Sequence, residues 1–169
     1  QRLRLQFDPG GDVERLHTSP DGDSWGIDTA WVDWYTGQVV DDLRAHGIEA
    51  IVLKGPAIRS WLYSDAPGDR GYVDADLLVA ERDLSAASAV LSELGFRHED
   101  RQGMEPIALW ATSWRRSADG AVVDLHRTLH GCEHSHVDPW PILSATAVEE
   151  EVGGTRVALV SISARAVQI

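Results

Sequence analysis

A chain of 169 residues has room for one domain with a proper core and too little for two comfortable ones. Seven Trp and an apolar share of 43% exclude a mainly disordered chain, and a formal charge of -12 argues against a general nucleic-acid binder. The single Cys132 rules out an internal disulfide framework and fits a reducing, cytoplasmic setting, while no apolar run approaches the roughly 20 residues of a membrane helix.

Residues 1–27 read as an irregular lead-in, with turn chemistry at Pro9-Gly10-Gly11 and Ser19-Pro20-Asp21-Gly22 and a short strand over 3–7. Because the chain opens on Gln rather than Met, it is expected to be part of a longer product. Asp28 can cap a helix in which Trp31, Trp34, Tyr35, Val39 and Leu43 recur at helical spacing until Gly47 stops it. Residues 49–54 read as a buried strand and 56–63 as the helix after it, followed by a polar loop over 64–71 that carries Asp65, Asp69 and Arg70.

Val73, Ala75, Leu77 and Val79 alternate with Asp74 and Asp76, the period of a strand with one apolar face. Leu84, Ala87, Leu91 and Leu94 then mark a helix ending at Gly95. Strands are expected over 96–101, 107–114 and 121–126, the last two joined near Asp119-Gly120 as a hairpin. After a His-rich loop, 148–152 and 156–160 flank Gly153-Gly154 as another hairpin, with Glu149-Glu150-Glu151 as a solvated edge. Ser163 can cap a last helix, which the chain cuts short over 161–169; a further helical segment is expected beyond Ile169. Residues 28–160 form the core, an α+β fold with a small mixed, mostly antiparallel sheet flanked by helices.

Chemistry concentrates at four places. Lys54 is the chain's only lysine and lies between the apolar run Ile51-Val52-Leu53 and Gly55-Pro56. Asp74 and Asp76 are two apart on one strand, so both point to the same face, where they repel unless a cation, a proton or bulk water relieves them. Magnesium answers that need, since it takes oxygen ligands and keeps positions open for phosphate and water. Asp124 shares a strand face with Val122 and His126; if its strand neighbours the first, it can complete a two-metal site and help deprotonate an attacking hydroxyl. The bland alternatives are a solvated acidic strand face, a surface lysine with no task and a hydrogen-bonded strand histidine.

The segments Val52-Leu53-Lys54-Gly55, Asp74-Ala75-Asp76-Leu77-Leu78-Val79 and Val123-Asp124-Leu125-His126, in that order, resemble the nucleotidyltransferase-like family of the DNA polymerase β superfamily. The stretch from Tyr63 through Arg70 belongs to the same pattern. The resemblance is to the poorly characterised branch with a Leu-Lys-Gly turn and an Asp-x-Asp-Leu-Leu-Val strand. It implies two magnesium ions on Asp74, Asp76 and Asp124, a turn facing the triphosphate of an NTP, with ATP expected, and transfer of a nucleoside monophosphate to an unidentified hydroxyl acceptor. Substrate contacts then fall to Lys54, Gly55, Arg70 and His126. The turn departs from the usual Gly-Ser or Gly-Gly, and Pro56 removes one backbone donor that could cradle phosphate; Lys54 can supply a compact point charge in its place. That departure keeps open a degenerate member that binds a nucleotide or partner without transfer, within a biosynthetic or toxin-type system. A zinc reading of His126, His130, Cys132, His134 and His136 lacks any Cys-x-x-Cys or His-Glu-x-x-His spacing.

Overall fold

The computed structural model describes residues 29–63, 65, 71–99, 110–132 and 137–165. The expected strand over 3–7, the cap at Asp28, Arg70, His134 and His136 lie outside these residues, as does most of the expected loop over 64–71.

The first helix, α1 (Thr29–Ala45), buries Val32, Tyr35, Val39, Val40 and Leu43 as one stripe. Its end follows from Gly47, whose φ of 75° lets the Ile48 amide donate to Leu43 O and the Gly47 amide to Arg44 O, both at 3.0 Å. That pairing closes the helix's open carbonyls and turns the chain directly into β1 (Ala50–Val52). After α2 (Pro56–Leu62) come β2 (Ala75–Val79), a single 3₁₀ turn at Glu81–Asp83, and α3 (Leu84–Glu93). Two-residue β3 (Arg97–His98), β4 (Ala111–Arg115) and β5 (Val122–His126) follow. The chain then forms α4 (Trp140–Ser144), the hairpin β6 (Val148–Val152) and β7 (Thr155–Leu159), and α5 (Ile162–Arg165).

Among the described residues one seven-stranded sheet results, in the order β3-β4-β5-β2-β1-β7-β6. The β2–β5 and β1–β7 pairs are parallel and the others antiparallel, so the sheet is mixed and mostly antiparallel, as the sequence led us to expect. On one face Val52, Leu77, Val79, Val123 and Leu125 join the apolar stripes of α1 and α3 in the core. Each such side chain, fully buried, contributes about 1.5–3 kcal/mol. The opposite face carries the polar side chains of β2 and β5, because successive strand residues alternate.

Several bounds differ from the sequence reading. Asp74 sits in a bend one residue ahead of β2, β3 is much shorter than 96–101, and α5 begins before Ser163. Helix α4 was not expected: it has five residues, one of them Pro141, and so presents no helical period to read. Among the described residues no helix is long and apolar enough to cross a membrane.

Candidate active site

The site is written in the strand register. Asp76 on β2 stands opposite Asp124 on β5, and Asp124 opposite Ser113 on β4. On the other side the Leu53 amide donates to Asp76 O at 3.0 Å, which brings the end of β1 into the same row. Four neighbouring strands therefore deliver Ser113, Asp124, Asp76 and the Leu53-Lys54 junction side by side. Two residues further along β2 and β5, His126 stands opposite Leu78.

Asp76 is 7% exposed and holds two donors on a single oxygen. His126 Nε2 lies 2.9 Å and Lys54 Nζ 3.3 Å from its Oδ1. A carboxylate can only accept here, so His126 Nε2 is the donor. His126 Nδ1 is buried without a hydrogen-bond partner among the described residues. Burial works to raise the Asp76 pKa, but the hydrogen bond and electrostatic pull of His126, followed by Lys54, outweigh it and hold the carboxyl below its ordinary value.

Asp74 behaves in the opposite way. Burial, then repulsion from Asp76 and Asp124, raises its pKa, and Lys54 offsets only part of this. The Ser113 hydroxyl donates to Asp124 Oδ1 at 2.5 Å. The three acids thus share one charged neighbourhood, with Lys54 at its rim. Among the described residues no three His, Cys, Asp or Glu side chains converge as a ready metal cage. The donor chemistry nevertheless suits a hard divalent cation, because hard oxygens share a field with excess negative charge at Asp74.

The turn that carries Lys54 is strained on purpose. Gly55 has φ 52° and ψ -105°, a conformation that a side chain strongly disfavours. Pro56 occupies the start of α2, where its missing amide costs nothing, and the Arg59 amide donates back to Gly55 O at 2.9 Å. A Cβ on Gly55 would meet the Tyr72 ring at 3.0 Å. Tyr35, from α1, donates its hydroxyl to Val122 O at 3.0 Å, tying the helix to the start of β5. Burial pushes this phenol pKa well up, so it remains a donor.

Of the residues singled out from sequence, Asp74, Asp76, Asp124, Lys54, Gly55 and His126 come together, while Arg70 lies outside the described residues. Ser113 and Tyr35 were missed. Their roles depend on cross-strand register and helix docking, which leave no local pattern; only the polar serine on an otherwise buried stretch of β4 hinted at one. Trp114 belongs to the core, its Nε1 donating to Thr112 Oγ1 at 3.1 Å, and Trp110 packs edge-on against His130, with ring centroids 4.7 Å apart. Cys132 is exposed.

The pattern that defines a family described as uncharacterised nucleotidyltransferase matches residues 28–168. The chain belongs to that family. It is therefore an enzyme of the nucleotidyltransferase kind. Among solved structures, this nucleotidyltransferase is similar to the antibiotic-resistance factor ANT(2'')-Ia, whose solution structure is described as revealing substrate-regulated conformation dynamics. The TM-score is 0.54 at 16% identity, over 82% of this chain and 69% of the other, a likeness of fold. No curated protein matches the sequence.

Proposed function

We propose that the enzyme transfers a nucleoside monophosphate from a magnesium-bound nucleoside triphosphate, with ATP the expected donor, to a hydroxyl of a small-molecule, peptide or protein acceptor. The observation that carries this reading is the register that sets Asp76 against Asp124, with Asp74 two residues away and offset only in part by Lys54. Asp74 and Asp76 would hold one magnesium ion, and Asp124 would join them at a second. When bound, magnesium supplies Lewis acidity at the phosphoryl oxygens and charge for the departing pyrophosphate.

The chain's own residues do the rest. Asp124 takes the proton of the acceptor hydroxyl as its oxygen bonds to the α-phosphorus, and the bond from that phosphorus to pyrophosphate breaks. Ser113 fixes the orientation of Asp124 through its hydrogen bond. Lys54 swings from Asp76 to the β- and γ-phosphates as a mobile point charge. His126 keeps Asp76 oriented and ionised.

Calorimetric titration of each triphosphate, with and without magnesium, into wild type and Asp74→Ala/Asp76→Ala tests the reading. Magnesium-dependent binding that disappears in the double variant is expected; no binding by wild type under any condition refutes it. In turnover, loss of either aspartate should cost on the order of 10²–10⁴. A second reading draws on the contacts that already balance Asp76, namely Lys54 and His126. It is a member that binds nucleotide without transfer, and it predicts binding that is indifferent to magnesium.

A further inference from the structure

Behind the Lys54-Gly55 turn lies a second polar cluster with no direct place in the chemistry above. Asp33 projects from α1 and is 8% exposed, a costly location for a carboxylate unless it is paired. Arg59 Nη2, from α2, reaches its Oδ2 at 2.5 Å. The Tyr72 hydroxyl donates to its other oxygen. The Arg59 guanidinium also lies over the Tyr72 ring, with Cζ 5.3 Å from the centroid. Burial, then the hydrogen bond and charge of Asp33, push the Tyr72 phenol pKa up, so the ring keeps its proton and its anchor.

Three chain segments meet at this cluster, and two of them lead straight into the site. The Arg59 amide itself donates to Gly55 O, at 2.9 Å. Tyr72 lies two residues before Asp74, and its ring forms the wall against which Gly55 packs, 3.0 Å from where a Cβ would stand. Asp33 thus fixes the turn on one side and the approach to the first acidic residue on the other. We propose that Asp33, Arg59 and Tyr72 are positioning residues that hold the Lys54-Gly55 turn at the right height above Asp74 to receive a triphosphate. This assignment rests on the nucleotide reading of the site.

A purely structural clamp and a positioning clamp differ in what they do to ligands. Loosening the turn weakens whatever binds through the β- and γ-phosphates and spares a ligand that lacks them. Wild type, Tyr72→Phe, Asp33→Asn and the double variant are to be titrated with the magnesium complex of the tightest of ATP, GTP, CTP and UTP. The matching monophosphate is measured by competition, and thermal melts on the same samples establish folding. Tyr72→Phe is expected to weaken the triphosphate roughly three- to tenfold, the scale of one hydrogen bond, and to leave the monophosphate within about twofold. The double variant should lose less than the product of the two single losses, because both act through one carboxylate.

Equal losses for both nucleotides, or no loss in folded variants, overturns the positioning role while wild-type triphosphate binding persists. Absent wild-type binding overturns the nucleotide reading and this assignment together, so the two failures are distinguishable. If Asp33→Asn does not fold, Arg59→Lys takes its place and the same split decides.

Discussion

Gly55→Ala tests how rigidly the turn is built, and its cost can be worked from two contributions. The first is conformational: φ 52° with ψ -105° lies outside the regions open to alanine, a strain of about 1–3 kcal/mol. The second is steric. The new methyl would stand 3.0, 3.2 and 3.3 Å from Cδ2, Cε2 and Cγ of Tyr72, each tighter than ordinary contact. The ring cannot swing away freely, because Asp33 holds its hydroxyl. Overpacking of this sort costs about 1–3 kcal/mol, which brings the sum to roughly 2–6 kcal/mol. Gly47→Ala supplies the control: its φ is 75°, but nothing lies within 4 Å of the added carbon, so only strain of about 1–2 kcal/mol applies. Urea denaturation of both variants at 25 °C reads the difference directly. Gly55→Ala should be the more destabilised by at least about 1 kcal/mol, and replacing Tyr72 by Leu should recover part of that gap. Equal costs at the two glycines would refute the claim that the ring is a wall.

Asp74→Asn should stabilise the ligand-free protein by about 0.5–2 kcal/mol, the usual gain when a functional strain is removed, while abolishing magnesium-dependent nucleotide binding; an unchanged or lower melting midpoint counts against the repulsion described here. The pH dependence has a definite sign. With its folded pKa raised, Asp74 takes a proton first in the native state, so its penalty at neutral pH is released as pH falls through the raised value. Asp76, with its pKa lowered, contributes stability above its unfolded pKa and loses it as pH falls through the folded one. Magnesium-dependent nucleotide affinity should accordingly begin to fail on acidification above the ordinary carboxylate range, and a titration flat down to that range would contradict this. Ser113→Ala removes the donor to Asp124 and should cost about 1 kcal/mol in urea, with a lower turnover at saturating triphosphate; a variant matching wild type in both would show that the contact is idle. Leu77→Ala, at a fully buried position under the site, should lose about 2–5 kcal/mol, and a loss below 1 kcal/mol in denaturant would mean that the core is looser than described.

The acidic motif was legible because its meaning is local. Asp76 interrupts an aliphatic strand, while Asp74, read from the same alternation as part of that strand, sits in the bend that leads into it. Asp124 followed from the same alternation one strand later, but its nearness to Asp76 did not, since nothing local says that β5 lies parallel beside β2. The insertion of β7 beside β1, far from the strands nearest it in sequence apart from its hairpin partner, was equally invisible. Lys54 was readable as a cation at a glycine turn, although not its contact with Asp76. The Asp33, Arg59 and Tyr72 cluster was out of reach for a physical reason: its members lie on α1, α2 and the segment before β2, and only the docking of all three brings the charges together.

The two rims of the sheet bear on how these molecules behave in a crowd. Every open sheet exposes two rows of unpaired amides and carbonyls that could accept a strand from a neighbour. Among the described residues one rim is β3, two residues long and too short to template anything. The other is β6, which sets Glu149, Glu150 and Glu151 in succession along its length. A second copy approaching that rim would bring these acids against their own kind, with Glu149 already met in part by Arg156 Nε at 3.7 Å. The enzyme should therefore remain dispersed at high concentration near neutral pH and begin to associate through this rim only when acid or high salt quiets those charges.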